Sequence, residues 1–238
     1  MKQMMMRNRR QGAAIAVEHN RQDEIDRFVA AVSVEYHQGL SATRTSGPAV
    51  TVFGSARTKP GHPDYTHAVT TGRTLAMAGY TVVTGGGSGI MEAANRGAAL
   101  GGGHSIGLRI ELPFEEAPNA FVATSVTFDH FPARKTCLIV SCDAVVVYPG
   151  GFGTMDELFE VLTLIQTRKI PALPVVLVGA AFWSGMLDWF GRDVQARGCI
   201  GAPDLALVTV VESPAEVLSA IKGERFGVSV AQRAAQPA

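Results

Sequence analysis

The sequence predicts an α/β fold: a single doubly wound Rossmann-like domain with a mostly parallel sheet, preceded by an N-terminal helical extension. Short apolar runs rich in β-branched residues recur along the chain, and they lack the polar alternation of strands that face solvent on one side. Segments with apolar residues at helical spacing separate these runs, so helices are expected on both faces of the sheet. The predicted strands are Val50–Gly54, Tyr80–Thr84, His104–Ile110, Val122–Phe128, Ala144–Tyr148, Pro174–Val178 and Ala206–Val211. The predicted helices that alternate with them are Pro63–Ala78, Ile90–Leu100, Phe131–Ser141, Thr154–Thr167, Trp183–Ala196 and Pro214–Ile221.

Three regions are expected along the 238 residues. Residues 1–47 form a polar N-terminal extension, and residues 48–222 form the nucleotide-binding catalytic domain. Residues 223–238 are rich in Ala, Gln and Arg and are predicted to be a flexible tail. One amphipathic helix is predicted in the extension, over Arg21–Gln38. Its apolar residues at helical spacing are Ile25, Phe28, Val29, Val32 and Tyr36.

Composition excludes several classes of protein. With 21 basic and 21 acidic residues the formal net charge is zero, which removes the basic excess expected of a nucleic-acid-binding protein. Apolar runs such as 175–181 are far shorter than the roughly 20 residues that cross a membrane, and the basic start lacks the apolar core of a secretory signal. Three cysteines and six scattered histidines suggest neither disulfides nor a metal site, so we expect a cytoplasmic protein without metal or cofactor.

Two glycine-rich turns stand where a predicted strand meets a predicted helix. The first is Gly85–Gly89 and the second runs from Pro149 to Glu157. Ligands of open parallel sheets bind at the carboxyl ends of the strands, and backbone N–H groups at a helix start attract anions such as phosphate. Close helix–strand packing alone also accounts for such glycines. Neither turn matches the dinucleotide fingerprint or the P-loop, so a nicotinamide dehydrogenase and a P-loop NTPase are both disfavoured.

Thr154 and Glu157 have two explanations from spacing alone. Thr-x-x-Glu is the capping-box pattern, in which both side chains only satisfy the backbone at a helix start. In the chemical explanation the Thr154 hydroxyl binds a phosphate and Glu157 faces the sugar, with Arg134 and Lys135 supplying the cation that a carboxylate near a phosphate requires. Spacing does not choose between them.

Two segments together resemble the signatures of the LOG (Lonely Guy) family. They are Phe131-Pro132-Ala133-Arg134-Lys135 and Pro149-Gly150-Gly151-Phe152-Gly153-Thr154-Met155-Asp156-Glu157, within a similarity that spans roughly 50–221. The family comprises cytokinin riboside 5′-monophosphate phosphoribohydrolases, often labelled lysine decarboxylases. Phe131 in place of the plant-type Met, Asp156 in place of Glu, the stretch Glu111–Glu115 with Asn119, and the long N-terminal extension resemble a longer bacterial subgroup.

The resemblance implies hydrolysis of the N-glycosidic bond of a nucleoside 5′-monophosphate, whether a cytokinin riboside monophosphate, AMP or a related nucleotide. It also implies a homodimer or a dimer-based oligomer. Arg134 and Glu157 are similar to the family's catalytic pair. The residues implied to bind the substrate are Ser55, Gly86, Gly87, Gly89, Lys135, Gly150, Gly151, Gly153 and Thr154.

Cleavage of an N-glycosidic bond passes through a cation-like ribosyl state that a carboxylate stabilises, or assists by activating water. We assign this role to Glu157. Arg134 is a poor proton donor because the pKa of arginine exceeds about 12. The sequence does not show the group that protonates the leaving base: His130 is one candidate, with a structural histidine as the more common alternative. Two other functions stay open: a non-catalytic nucleotide sensor on the same fold, and a lysine decarboxylase, which would need pyridoxal phosphate on Lys135 or Lys169.

Overall fold

A seven-stranded parallel sheet forms the centre of the protein, in the strand order β4-β3-β2-β1-β5-β6-β7. The computed structural model describes residues 2–44, 47–112 and 118–223, with side chains from residue 22 onward. Neighbouring strands pair in parallel, for example Val52 with Val146 and Val83 with Ile106. The strands are β1 (Ala49–Phe53), β2 (Thr81–Thr84), β3 (Ser105–Ile110), β4 (Thr124–Phe128), β5 (Ala144–Val147), β6 (Val175–Val178) and β7 (Val208–Val211). The predicted doubly wound α/β fold is confirmed.

Helices cover both faces of this sheet. They are α1 (Lys2–Thr43), α2 (Pro63–Met77), α3 (Ile90–Leu100), α4 (Phe131–Val140), α5 (Phe152–Gln166), α6 (Ala180–Trp189), α7 (Ala202–Leu205) and α8 (Pro214–Ile221), and a π-helical segment over Phe190–Val194 continues α6. The sequence pattern missed α7, because four residues are too few to show a helical period. None of the described helices has the length and hydropathy needed to cross a bilayer.

Two hydrophobic cores lie on opposite faces of the sheet. Within β1, Ala49 and Phe53 belong to the core shared with α4, α5 and α6, whereas Val50 and Val52 belong to the core shared with α2, α3 and α8. Successive side chains of a strand point to opposite faces, so both sets are buried. Two covered faces explain why the strands show no polar alternation.

The N-terminal helix α1 is much longer than the predicted segment 21–38. Residues before position 21 include many good helix formers but no regular apolar spacing, so periodicity did not detect them. The predicted apolar face is only partly buried: Ile25, Phe28 and Val29 are at least half exposed, while Val32 and Tyr36 pack against the core. Polar contacts also anchor the helix to the α4 region, including a hydrogen bond from Thr43 Oγ1 to Ser141 Oγ at 2.7 Å.

Parts of the predicted organisation fall beyond the described residues. The flexible tail, apart from Gly223, and the segment 113–117 between β3 and β4 lie outside them. The boundaries 1–47, 48–222 and 223–238 therefore stay predictions.

Helices α2 and α3 pack so closely that two glycines are required at their crossing. A Cβ atom added to Gly97 would collide with the Val69 carbonyl oxygen and approach Arg73 N to 2.8 Å. A Cβ atom added to Gly72 would collide with the Ala94 carbonyl oxygen. Because these neighbours are backbone atoms, they cannot move aside without shifting a helix.

We therefore expect Gly97→Ala to destabilise the protein by about 1–3 kcal/mol, the usual cost of overpacking a closed contact. The matched control is Gly185→Ala in α6, where an added Cβ meets nothing within 4 Å. That control should stabilise the protein by about 0.5–1 kcal/mol, since alanine favours the helix over glycine. Urea unfolding of both variants measures the difference, and equal effects would contradict the packing argument.

Candidate active site

The two glycine turns lie side by side at the carboxyl ends of the strands. β1 stands between β2 and β5, at the point where the strand order reverses, and the turns follow β2 and β5. Ser55 connects the turns through its backbone: its N–H donates to the Pro149 carbonyl at 3.1 Å, and its carbonyl accepts from Ile90 N at 3.0 Å. This edge is where open parallel sheets bind ligands.

In the first turn, local packing accounts for two of the predicted glycines. Gly86 and Gly89 have φ values of +71° and +68°, a backbone conformation that favours glycine. A Cβ atom on Gly89 would also collide with the Ser55 carbonyl. At Gly87, by contrast, an added Cβ would meet only the flexible side chain of Met91.

The second turn leaves space around two of its glycines. A Cβ atom on Gly150 would collide with Thr154, but one on Gly151 or Gly153 would meet nothing within 4 Å. Neither Gly151 nor Gly153 has a positive φ, so packing and strain give no reason for glycine at these positions. Close approach of a ligand to the backbone does give one.

The capping-box explanation of Thr154 and Glu157 is wrong. Helix α5 begins at Phe152, with Gly151 as its N-cap and no side-chain cap. Thr154 is thus the third residue of the helix, where the sequence pattern had placed its start, and it is buried. Glu157 lies a turn further in, too far from the N-cap to reach its backbone.

Arg134 and Glu157 form a buried pair between the turns. Arg134 Nη1 lies 3.4 Å from Glu157 Oε1, with side chains only 10% and 14% exposed. Arg134 Nε donates to the Leu108 carbonyl at 2.7 Å, and Nη2 lies so close to Gly85 that no Cβ would fit there. Gly85 belongs to the predicted Gly85–Gly89 turn, but its proximity to Arg134 was not predicted because it has no signature in sequence spacing.

Burial dominates the ionisation of Glu157. Loss of solvation raises the pKa of this carboxyl from 4.5 to about 7, although the Arg134 charge acts to lower it. Asp156 and Glu160 raise it further by like-charge repulsion, against the opposing effect of Lys135. The ion pair is long and so offsets only part of the desolvation cost. Both protonation states of Glu157 are therefore populated near neutral pH.

Lys135 is held by carboxylates of α5. Its Nζ lies 2.9 Å from Asp156 Oδ2 and 2.9 Å from Glu160 Oε2. Burial acts to lower the pKa of this ammonium, but hydrogen bonds to Glu160 and Asp156 raise it above the ordinary lysine value. Lys135 therefore stays charged and ties α4 to α5.

His130 interacts with the N-terminal helix. Its Nδ1 lies 2.9 Å from Glu35 Oε1, and Phe28 packs edge-on against its ring. Glu35 also accepts from the backbone N–H of Asp129 at 3.0 Å. These contacts give His130 an anchoring role between α1 and α4. Among the described residues, no group of His, Cys, Asp and Glu has the arrangement of a metal site.

A family model described as "Possible lysine decarboxylase" matches residues 91–221, more than half of the chain. "Probable cytokinin riboside 5'-monophosphate phosphoribohydrolase LOGL5" of Oryza sativa subsp. japonica is 29% identical over 157 residues, covering 63% of this chain and 62% of the relative. "Pyrimidine/purine nucleotide 5'-monophosphate nucleosidase" of Escherichia coli K12 is 28% identical over 140 residues, covering 53% of this chain but only 31% of the relative.

Solved structures support the fold. The molybdenum cofactor carrier protein of Chlamydomonas reinhardtii superimposes with a TM-score of 0.55 at 25% identity, over 74% of this chain and 97% of that one. The molybdenum cofactor binding protein of Rippkaea orientalis gives a TM-score of 0.56 at 23% identity, over 75% of this chain and 98% of that one.

The buried state of Glu157 predicts a pH-dependent stability difference. Because its pKa is raised from 4.5 to about 7, ionisation destabilises the folded wild type as pH rises through this range. Glu157→Gln does not titrate, so the variant should gain stability relative to the wild type by up to roughly 3 kcal/mol between pH 4.5 and pH 8. Denaturant unfolding at several pH values measures this. A difference that stays constant, or that shrinks as pH rises, would contradict the raised pKa.

Proposed function

The chain belongs to the LOG family, whose model bears the description "Possible lysine decarboxylase", and we propose on this basis that it hydrolyses the N-glycosidic bond of a nucleoside 5′-monophosphate. The products would be the free base and ribose 5-phosphate. The observation that carries this proposal is the buried Arg134–Glu157 pair, which lies between two glycine turns at the switch point of the sheet. The chain covers less than two thirds of the length of the rice and bacterial relatives named above, and we therefore propose the activity from the site together with the family.

We assign the phosphate to the second turn. Gly151 and Gly153 leave open space at the start of α5, and the first N–H groups of a helix carry a partial positive charge. Gly150 and Thr154 pack against each other within this turn. In the first turn, Gly86, Gly87 and Gly89 would line the nucleotide together with Ser55, whose backbone joins the two turns.

Glu157 is assigned the chemical role. As the ribosyl carbon loses the base it becomes cationic, and an ionised carboxylate held next to it stabilises that charge. Water then adds to this carbon, and the leaving base takes up a proton. Arg134 stays charged throughout and fixes the orientation of Glu157 through their contact. Lys135 remains a predicted substrate contact, and its ammonium would be shared with Asp156 and Glu160.

We propose no single base for the substrate. The rice relative is named for cytokinin riboside monophosphate and the bacterial relative for pyrimidine and purine nucleotides. Both names share a nucleoside 5′-monophosphate substrate and differ in the base. We therefore propose this class as the substrate, with no pyridoxal cofactor and no metal in the reaction.

We also propose a cellular location and an oligomeric state. We place the protein in the cytoplasm, which agrees with the free thiols of Cys137, Cys142 and Cys199. A homodimer or a dimer-based oligomer is proposed from the family resemblance. Size-exclusion chromatography with light scattering tests the oligomeric state.

A product assay tests the reaction. Purified protein should release free base and ribose 5-phosphate from at least one of AMP, GMP, CMP, UMP and isopentenyladenosine monophosphate. Glu157→Gln should lower kcat by about 10²–10⁴, the usual contribution of a catalytic carboxylate. Glu24→Gln, the same change on the exposed part of α1, is the control and should retain full activity. Tight nucleotide binding without turnover in the wild type would favour the sensor function instead.

The proposal also predicts a pH profile. Because the ionised form of Glu157 acts and its pKa is about 7, kcat/KM should fall about tenfold per pH unit below that value. Asp156→Asn removes one of the negative charges that raise this pKa, so its acid limb should lie at lower pH than that of the wild type. Ionisation of the substrate phosphate is the same for both enzymes and cannot cause the shift. Superimposable acid limbs would count against Glu157 as the titrating group.

A further inference from the structure

The side chain of Asn119 holds the first glycine turn in place. Its Nδ2 donates to the carbonyls of Gly86 at 3.1 Å and Gly87 at 2.9 Å, and its backbone N–H donates to the Gly86 carbonyl at 3.1 Å. Asn119 lies after β3, in the segment that leads to β4, about thirty residues along the chain from the turn. One residue from a different part of the chain therefore fixes two successive peptide groups of the turn.

The orientation of the Asn119 amide follows from its neighbours. Its Oδ1 accepts from Phe121 N at 3.2 Å, so the Nδ2 group must face the glycine turn. There it also donates to Asn95 Oδ1 at 3.0 Å, an oxygen that accepts from the Thr84 hydroxyl at 2.8 Å. Asn95 and Thr84 are fully buried, and Thr84 Oγ1 accepts from Gly86 N at 2.9 Å. The turn is thus fastened through both its carbonyl and its N–H groups.

This fastening decides where the remaining N–H groups of the turn point. In a trans peptide the N–H points opposite to the carbonyl of the same unit, and the structure has no cis peptide bond among its described residues. With the carbonyls of Gly86 and Gly87 turned toward Asn119, the N–H groups of Gly87 and Ser88 must point away from it. Two adjacent N–H groups aimed in this way can bind the oxygen atoms of a ligand.

We propose that Asn119 is a positioning residue that orients the N–H groups of Gly87 and Ser88 to bind the ribose 5-phosphate part of the nucleotide. It makes this contribution through the turn and does not touch the reacting atoms. The inference rests on the proposed function for the identity of the ligand. It also gives the β3–β4 connection a defined link to the site, through one side chain.

Asn119→Asp is the sharpest test, because it separates the two halves of the amide. The carboxylate keeps an acceptor for Phe121 N but loses both side-chain hydrogen bonds to the turn, while the backbone N–H of residue 119 still donates to the Gly86 carbonyl. It also places negative charge against two carbonyl oxygens. Calorimetric titration with ribose 5-phosphate and with AMP should show Kd values at least tenfold higher than those of the wild type. KM for a substrate nucleotide should rise similarly, with kcat changed less than threefold. Hydrogen exchange should become faster in peptides that contain residues 85–89.

Ser105→Ala is the matched control. Ser105 Oγ donates to the Phe121 carbonyl at 2.7 Å and accepts from Ala123 N at 3.3 Å, so it anchors the same connection without touching the turn. This variant should bind both ligands within twofold of the wild type and leave exchange at 85–89 unchanged. An equal loss of binding in both variants would show general loosening of the connection and overturn the inference.

The remaining outcomes separate this inference from the proposed function. Wild-type affinity in Asn119→Asp, or failure of the wild type to bind either ligand, overturns the positioning role. If the wild type binds AMP but releases no free base, and Asn119→Asp binds it at least tenfold more weakly, the hydrolase proposal falls and the positioning role stands. If the wild type releases free base and Asn119→Asp matches it in Kd and KM, the hydrolase proposal stands and the positioning role of Asn119 falls.

Discussion

The site depends on the contacts of one group, the guanidinium of Arg134. It contacts two elements that are distant in sequence, the Leu108 carbonyl in β3 and the Glu157 carboxylate in α5, and it fills the space beside Gly85, which follows β2. A planar group with donors in fixed directions is suited to such a junction, and a lysine could not replace it. Gly85 has no side chain because the guanidinium occupies the space that one would need.

The same junction is costly for stability. Two ionisable side chains are withdrawn from water, and their separation of 3.4 Å recovers only part of the lost solvation. The raised pKa of Glu157 is the measure of that deficit. More favourable ionic contacts lie next to it, where Lys135 is 2.9 Å from both Asp156 and Glu160. The protein therefore links α4 to α5 through the two ionic contacts of Lys135, next to a carboxylate whose charged form is poorly solvated.

Sequence patterns were sufficient for the sheet and most helices, because buried strands and amphipathic helices leave a periodic signal in a single segment. They were insufficient wherever a contact joins distant segments. Thr154 and Glu157 match the capping box in spacing, and only the observed start of α5 at Phe152 excludes it. Asn119 was noted in the sequence only for its resemblance to a longer bacterial subgroup. Nothing in the sequence around it indicates that its amide reaches Gly86 and Gly87. The full length of α1 was not predicted, because its first twenty residues favour a helix by composition but have no regular apolar spacing.

Ser55 joins the two halves of the site with main-chain atoms alone, through the Pro149 carbonyl and the Ile90 N–H. Every amino acid except proline carries the same two groups. The side chain at this position can therefore vary in evolution without separating the two turns. Under the proposed function, a side-chain change here would alter the lining of the crevice and leave its architecture intact, which gives the scaffold room to diversify.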